Sequence, residues 1–420
     1  MKYERRQVET LRRELAKPVR RIHTIFGPRQ SGKTTVVLQA LREIDTVSLY
    51  RAVEDPNLDR LGGFGTRRSD TVHPGRRDQA WLIRVWENAR REAARGGGAV
   101  LALDEIQKID NWSETVKGLW DADRREVCPL HVVILGSAPM LMQSGLTESL
   151  AGRFQHIPVA HWSFQEMVDA FGLSLPEYAF YGGYPGTSDL IAEPSEWRKH
   201  VRSALIETTI ERDVVGVARI EKPALLKQLF ELGAAYSGQI LAIEKILGLL
   251  AGAGNATTLV DYLHLLSRVG LLAAIPRYSR SPARQRTDRP KLLVLNTGLM
   301  TALSDYSFEE AQADRTFWGR IVETAAGAHL LNTADERTKV HYWRSKDGDE
   351  VDFVMTRGPR TVAIEVKTGQ VRATHGMKIF RERFRPDRVV VVGPDERERN
   401  TVSLAEYLSR PASDWFEDGE

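Results

Sequence analysis

One cysteine, Cys128, stands in 420 residues. A disulfide framework is excluded, and so is any cysteine-rich metal site. This usage is that of a reducing compartment, and the cytoplasm is the expected location. Long apolar runs are also missing: none approaches the ~18 to 20 residues that a membrane-spanning helix needs. The opening Met1-Lys2-Tyr3-Glu4-Arg5-Arg6 carries no leader-like apolar stretch, so no membrane partner is expected. Net charge is scarce, +3 over the whole chain, so any surface for nucleic acid is local. Internal repeats and long low-complexity tracts are absent from the sequence. What remains is a globular composition in a chain too long for one core, which implies several domains.

Against these absences one stretch stands out. Gly27-Pro28-Arg29-Gln30-Ser31-Gly32-Lys33-Thr34 matches G-x-x-x-x-G-K-[ST]. Apolar Arg21–Phe26 precedes it as a buried strand, and Thr34–Glu43 follows as a helix. That context separates a phosphate loop from a chance match. Glycines let the backbone curl so that its N–H groups face phosphate, and the helix N-terminus adds its positive end. Gly27 through Thr35 are the expected nucleotide-binding residues. Lys33 is expected on the β- and γ-phosphates of ATP or ADP, and the Thr34 hydroxyl on Mg²⁺. A second strand, Ala99–Leu103, ends in Asp104-Glu105. Asp104 is the expected second Mg²⁺ residue and Glu105 the expected general base.

Other candidates follow in chain order. Residues 3–17 read as an amphipathic helix with Val8, Leu11 and Leu15 on one face. Leu130–Leu135 is a third apolar strand ending in Gly136-Ser137-Ala138; Ser137 is either a sensor of the γ-phosphate or a plain strand-end residue. Arg153, before a short strand Phe154–Val159, is either a phosphate-directed arginine or half of a structural ion pair. Residues 161–215 read as helices broken at Tyr181-Gly182-Gly183-Tyr184-Pro185, the pattern of a helical lid. Residues 222–275 give three short helices and then an apolar hairpin arm, the order of a winged helix. The window 277–291 holds Arg277, Arg280, Arg284, Arg286, Arg289 and Lys291 against one acid, Asp288. It is either a phosphate-binding segment for DNA or a solvated loop.

A second constellation lies beyond residue 290. Glu323 falls in the helical stretch Thr316–Leu331, Asp352 on the strand Glu350–Val354, and Glu365-x-Lys367 on the strand Val362–Lys367. Alternation along a strand puts Glu365 and Lys367 on one face. This is the skeleton of a PD-(D/E)XK nuclease site, in which the acids hold Mg²⁺ and the lysine orients water. A nuclease-like fold kept only for binding is the alternative.

The two halves together resemble a prokaryotic family of AAA-type P-loop ATPases joined to a C-terminal domain of unknown function similar to the PD-(D/E)XK nucleases. The resemblance rests on GPRQSGKTT at 27–35, LALDE at 101–105, LGSA at 135–138, LAGRF at 150–154, YGGYP at 181–185, YWRSKDGDEVDF at 342–353 and AIEVKTG at 363–369. The chain departs from it at Asn296, where relatives carry Asp. The implied fold class is α/β: an AAA-type parallel sheet over 1–160, a helical lid over 161–215, a winged-helix region and basic linker over 216–290, and a nuclease-like domain over 291–420. The implied function is ATP binding and hydrolysis, with the C-terminal domain binding or processing DNA. The alternative is a regulatory or assembly ATPase whose nuclease-like domain is inert, and a homo-oligomer fits either.

Overall fold

A computed structural model of the chain describes residues 3–54, 63–64, 76–137, 152–214, 220–250, 252, 254–280, 289–369, 375–393 and 401–417. Arg284 and Arg286 of the basic window, and Leu150-Ala151 of the LAGRF motif, lie outside these. The described chain divides into two compact units, residues 1–159 with 213–219 and residues 160–212 with 220–420.

The first unit is built on a sheet of six strands: β1 (Ile22–Gly27), β2 (Val47–Ala52), β3 (Gly63–Phe64), β4 (Ala99–Asp104), β5 (Leu130–Ser137) and β6 (Phe154–Pro158). Their order is β3-β2-β4-β5-β1-β6. Five run parallel, and β3 adds an antiparallel edge. Strand alternation sends the apolar residues to two cores. Leu101, Leu103, Val132 and Ile134 pack with Trp81, Trp86 and Trp120 from the helices Gln79–Gly96 and Trp112–Glu126. Val100, Ala102, Val133 and Leu135 pack with Val8, Leu11, Val36 and Val37 from the helices Arg6–Leu15 and Lys33–Arg42. Burial on both faces is why these strands read as unbroken apolar runs.

The second unit opens with the helices Phe164–Phe171, Leu175–Tyr181 and Pro194–His200. Within the segment expected as a lid over 161–215, residues 161–212 belong to this unit and find packing partners in it. Arg198 donates to the carbonyls of Ser304 and Tyr306, both at 2.7 Å. Tyr181 meets Trp197 edge-on at 4.9 Å and Phe180 meets Phe308 at 5.5 Å. The Tyr181–Pro185 glycines permit this approach, since a Cβ on Gly182 would stand 1.8 Å from the Asn296 side-chain oxygen.

Asn296 also explains its own departure from Asp. Its carbonyl oxygen accepts from the Gly298 N–H at 3.1 Å, capping the helix Thr297–Leu303. Its NH₂ is thereby turned toward His161 Nδ1 at 3.3 Å, a donor that a carboxylate lacks. With Nδ1 accepting, the Nε2–H of His161 donates to the Gly270 carbonyl at 2.8 Å.

Three helices, Pro223–Ala235, Ile243–Leu249 and Ala256–Arg268, precede a two-stranded antiparallel sheet of β7 (Leu272–Ile275) and β8 (Lys291–Val294). The expected boundary at 290/291 falls between the two paired strands. A five-stranded sheet follows: β9 (Thr338–Arg344), β10 (Glu350–Arg357), β11 (Arg360–Val366), β12 (Arg388–Val392) and β13 (Thr401–Val402), ordered β13-β12-β11-β10-β9. The helix His375–Phe384 packs Met377 and Phe380 on Trp343, Val351, Val354 and Ala363. The helix Arg315–Thr333 presses close to β10 through Gly327, where a Cβ would come within 2.5 Å of the Phe353 ring. Glu323 lies one turn before Gly327 on that face.

Candidate functional site

The phosphate-loop residues form a tight turn from β1 to the helix Lys33–Arg42. Gln30 (φ 57°) and Gly32 (φ 88°) adopt left-handed backbone, the conformation that closes such a turn. At Gly27 the neighbouring chain leaves no room: a Cβ would stand 1.8 Å from the Val159 carbonyl oxygen. Ser31 Oγ donates to the Pro28 carbonyl at 2.9 Å. Lys33 Nζ donates to the carbonyls of Gly27 at 3.0 Å and Pro28 at 2.6 Å. Buried Arg5 donates to the Ser31 carbonyl at 3.0 Å, so the segment leading into the first helix braces the loop. Thr34 and Thr35 occupy the first turn of the helix, with Thr35 exposed.

Asp104 closes the site from the tip of β4. Its Oδ2 accepts from Thr34 Oγ1 at 3.0 Å and also from the Tyr50 hydroxyl. Tyr50 is fully buried on β2, and burial together with the Asp104 charge pushes its ionisation well above the usual range. Glu105 leaves the strand in left-handed backbone (φ 56°), and its carboxylate accepts from the Gln107 amide. Tyr50 and Gln107 carry no motif, and sequence reasoning missed them. A hydroxyl and a carboxylate at hydrogen-bond distance are the hard oxygen donors Mg²⁺ takes, so Thr34 and Asp104 fit that ion.

Ser137 and Arg153 fare differently. Ser137 ends β5 directly beside Gly27 in the parallel register; its side chain is outside the described residues. Arg153 precedes β6, where its carbonyl accepts from the Ile22 N–H at 2.8 Å. That is the start of β1, while the phosphate loop follows its end. The five steps from Ile22 to Gly27 span roughly 16 Å at ~3.3 Å per residue. The guanidinium pairs with Asp121, Nε to Oδ1 at 2.9 Å and Nη2 to Oδ2 at 3.0 Å. Of the two roles expected for Arg153, the ion pair is the one these contacts form.

In the second unit, Glu323, Asp352, Glu365 and Lys367 line one cavity of about 600 Å³ together with Arg320, Arg344, Glu350 and His375. A bulge between Val351 and Val354 sits at Asp352, whose Oδ2 accepts from the Val366 N–H at 2.8 Å. Lys367 Nζ lies 2.7 Å from Glu365 Oε1. Two members were missed from sequence. Glu350 offers an oxygen that lies, with one each from Glu323 and Asp352, within a mutual 4.8 Å. Lys291 is fully buried, with Nζ against Glu323 and 3.1 Å from Glu350 Oε1. Burial pushes the Glu323 carboxyl up while Lys291 opposes that rise. Burial penalises the Lys291 ammonium, but Glu323, Asp352 and Glu350 together hold its pKa above the ordinary value.

The basic window loses Lys291 from its surface, since that residue is spent in the interior, and Arg280 donates to the Phe384 carbonyl at 3.1 Å. Arg289 is exposed and Arg277 half-buried. No helix among the described residues is long and apolar enough to cross a membrane.

A family model described as an AAA domain matches residues 19–168. Models described as domains of unknown function, DUF8612 and DUF4143, match residues 172–310 and 318–407. The former covers residues 172–215 of the segment expected as a lid together with the β7–β8 hairpin, while the AAA-domain match takes in residues 161–168. No curated protein matches the chain. Similar solved structures include the Aeropyrum pernix ORC1 protein in complex with DNA, 16% identical over 72% of this chain and 92% of that one, TM-score 0.29. The AMPPCP-bound DnaA of Aquifex aeolicus is 11% identical over 62% and 87%, TM-score 0.31. The replication initiator DnaA bound to AMPPCP and single-stranded DNA is 12% identical over 64% and 89%, TM-score 0.29. Residues 19–168, which match the AAA-domain model, carry the phosphate-loop sequence on a six-stranded sheet of which five strands run parallel.

Proposed function

We propose that the protein binds ATP with Mg²⁺ at residues 27–35 and hydrolyses it. The observation that carries this reading is the 3.0 Å bond between Thr34 and Asp104, which joins the loop hydroxyl to the strand-end carboxylate beside Lys33. Thr34 and Asp104 hold the metal, which when bound offsets phosphate charge. The loop N–H groups and Lys33 orient the β- and γ-phosphates. Glu105 takes the proton of the attacking water, and Ser137, beside Gly27, reads the γ-phosphate. The second unit is the effector. Its three helices and hairpin support a winged-helix reading. The helix, β9 to β11, helix, β12 succession around Glu323, Asp352, Glu365 and Lys367 supports a nuclease-like domain that binds or processes DNA. Lys291 amid the carboxylates favours the second reading, a regulatory or assembly ATPase with an inert nuclease-like module.

The test is ATP turnover with and without duplex or single-stranded DNA, beside a cleavage assay in Mg²⁺ or Mn²⁺. DNA-stimulated turnover, with cleavage lost in Asp352→Ala, selects the DNA-processing reading. Turnover indifferent to DNA and no cleavage selects the assembly reading. No turnover under any condition overturns the ATPase.

A further inference from the structure

We infer that Lys291 is the resident counter-cation of the second unit's carboxylate cluster, occupying with its own ammonium the place where a divalent ion would bind. The inference is independent of the ATPase reading. Nζ contacts the Glu323 carboxylate and lies 3.1 Å from Glu350 Oε1 and 3.4 Å from the Asp352 carbonyl oxygen. It therefore contacts two of the three carboxylates whose oxygens converge within 4.8 Å, and the main-chain oxygen of the third residue. A divalent ion takes carboxylate oxygens at about 2.0–2.6 Å. An ion held by these three would be pressed against a like-charged ammonium.

The lysine has nowhere else to go. Its side chain is fully buried, and its Nζ sits 5.1 Å over the Phe353 ring. Its backbone is clamped on both sides: it pairs with Ile275 in β7–β8 and bridges Ile240. Pro290 O accepts from the Leu241 N–H at 3.0 Å, and the Leu292 N–H donates to Gln239 O at 3.0 Å. A buried ammonium is tolerated only when paired, and here Glu323 and Glu350 pair it. Removing it would leave those half-buried acids without that compensation, the condition that recruits a metal. Lys367 Nζ is held 2.7 Å from Glu365 Oε1, and the charges of Asp352 and Glu323 act on it as well.

The experiment is a Mn²⁺ titration of the full chain without nucleotide, by calorimetry and by the loss of free-Mn²⁺ electron paramagnetic resonance signal. Parent and Asp352→Asn are expected to bind Mn²⁺ alike, because the parent cluster takes none. Lys291→Met, which keeps length and apolar bulk but not charge, is expected to gain one Mn²⁺ site at least tenfold tighter than any in the parent. Lys291→Met/Asp352→Asn is expected to lose it. Parent binding that Asp352→Asn abolishes overturns the inference, as does a folded Lys291→Met that gains no site. If Lys291→Met fails to fold, the comparison of parent with Asp352→Asn still decides.

Discussion

Thr34 and Asp104, one on the first turn after the phosphate loop and one at the tip of β4, share a 3.0 Å hydrogen bond. Tyr50 donates to the same Asp104 oxygen from β2. The tyrosine thus fixes which way the carboxylate turns, and second partners of metal-binding acids commonly tune affinity. Tyr50→Phe keeps the ring in its buried slot and removes only the donor. It should raise the Mg²⁺ concentration for half-maximal turnover by about fivefold to tenfold, equivalent to ~1 kcal/mol. ATP affinity measured without Mg²⁺ should stay put. A magnesium titration of turnover reads the difference, and an unchanged curve would mean that Tyr50 only packs.

Lys33 and Glu105 separate binding from chemistry. Lys33 Nζ rests on the Gly27 and Pro28 carbonyls, within the loop whose phosphates it is proposed to hold. Lys33→Ala should weaken ATP binding and abolish turnover. Glu105→Gln keeps size and hydrogen bonding but not basicity. It should bind ATP as the parent does and turn it over about 10²-fold more slowly, the scale of a lost general base. Fluorescent-nucleotide binding run beside phosphate release makes the comparison. Parent-like turnover in either variant would remove that residue from the site.

Arg153 serves as the control for position. Its carbonyl is bonded at the start of β1 and its guanidinium is taken by Asp121, whose carboxyl it holds below the ordinary range by hydrogen bonding. An arginine acting on the γ-phosphate is worth about 10³–10⁵ in turnover. Arg153→Ala should leave the rate near the parent value at every protein concentration. A large loss restored by mixing with Lys33→Ala chains would instead place it on a neighbouring subunit's nucleotide.

What the sequence disclosed follows from how local the chemistry is. Gly27–Thr35 and Leu101–Glu105 each hold their chemistry in one short run whose flanks announce strand and helix, so both were legible. Tyr50, Glu350 and Lys291 enter their sites through strand register, which no single run encodes. Lys291 was hidden further by its company: in a window of six cations it counts as surface charge, and only the β7–β8 pairing turns it inward. Arg153 stood open between two roles, and its place before a parallel strand, at the opposite end from that strand's tip, shows only in the strand pairing. The sequence of 161–215 showed helices and a Gly-rich break but not what they pack on, and the aromatic contacts to Phe308 and the bonds to Ser304 and Tyr306 supply that.

His23 gives the first unit a pH-dependent weakness. Its ring stacks on His131 at 6.0 Å and is buried on β1. Burial, then the neighbouring His131, pushes its pKa down to about 4, with Lys17 acting in the same sense and Glu14 against it. The fold therefore holds the neutral ring. As pH falls through about 6.5, the unfolded chain takes a proton that the folded chain refuses. Stability is lost between about 6.5 and 4, and below about 4 the folded ring is protonated too and the loss levels off. The displacement corresponds to about 3 kcal/mol over that window. His23→Phe, which keeps an aromatic ring and cannot titrate, should narrow the difference in denaturation midpoint between pH 7 and pH 4.5. Equal pH sensitivity in parent and variant would mean that His23 does not carry it, and would direct attention to His131, which burial displaces in the same direction.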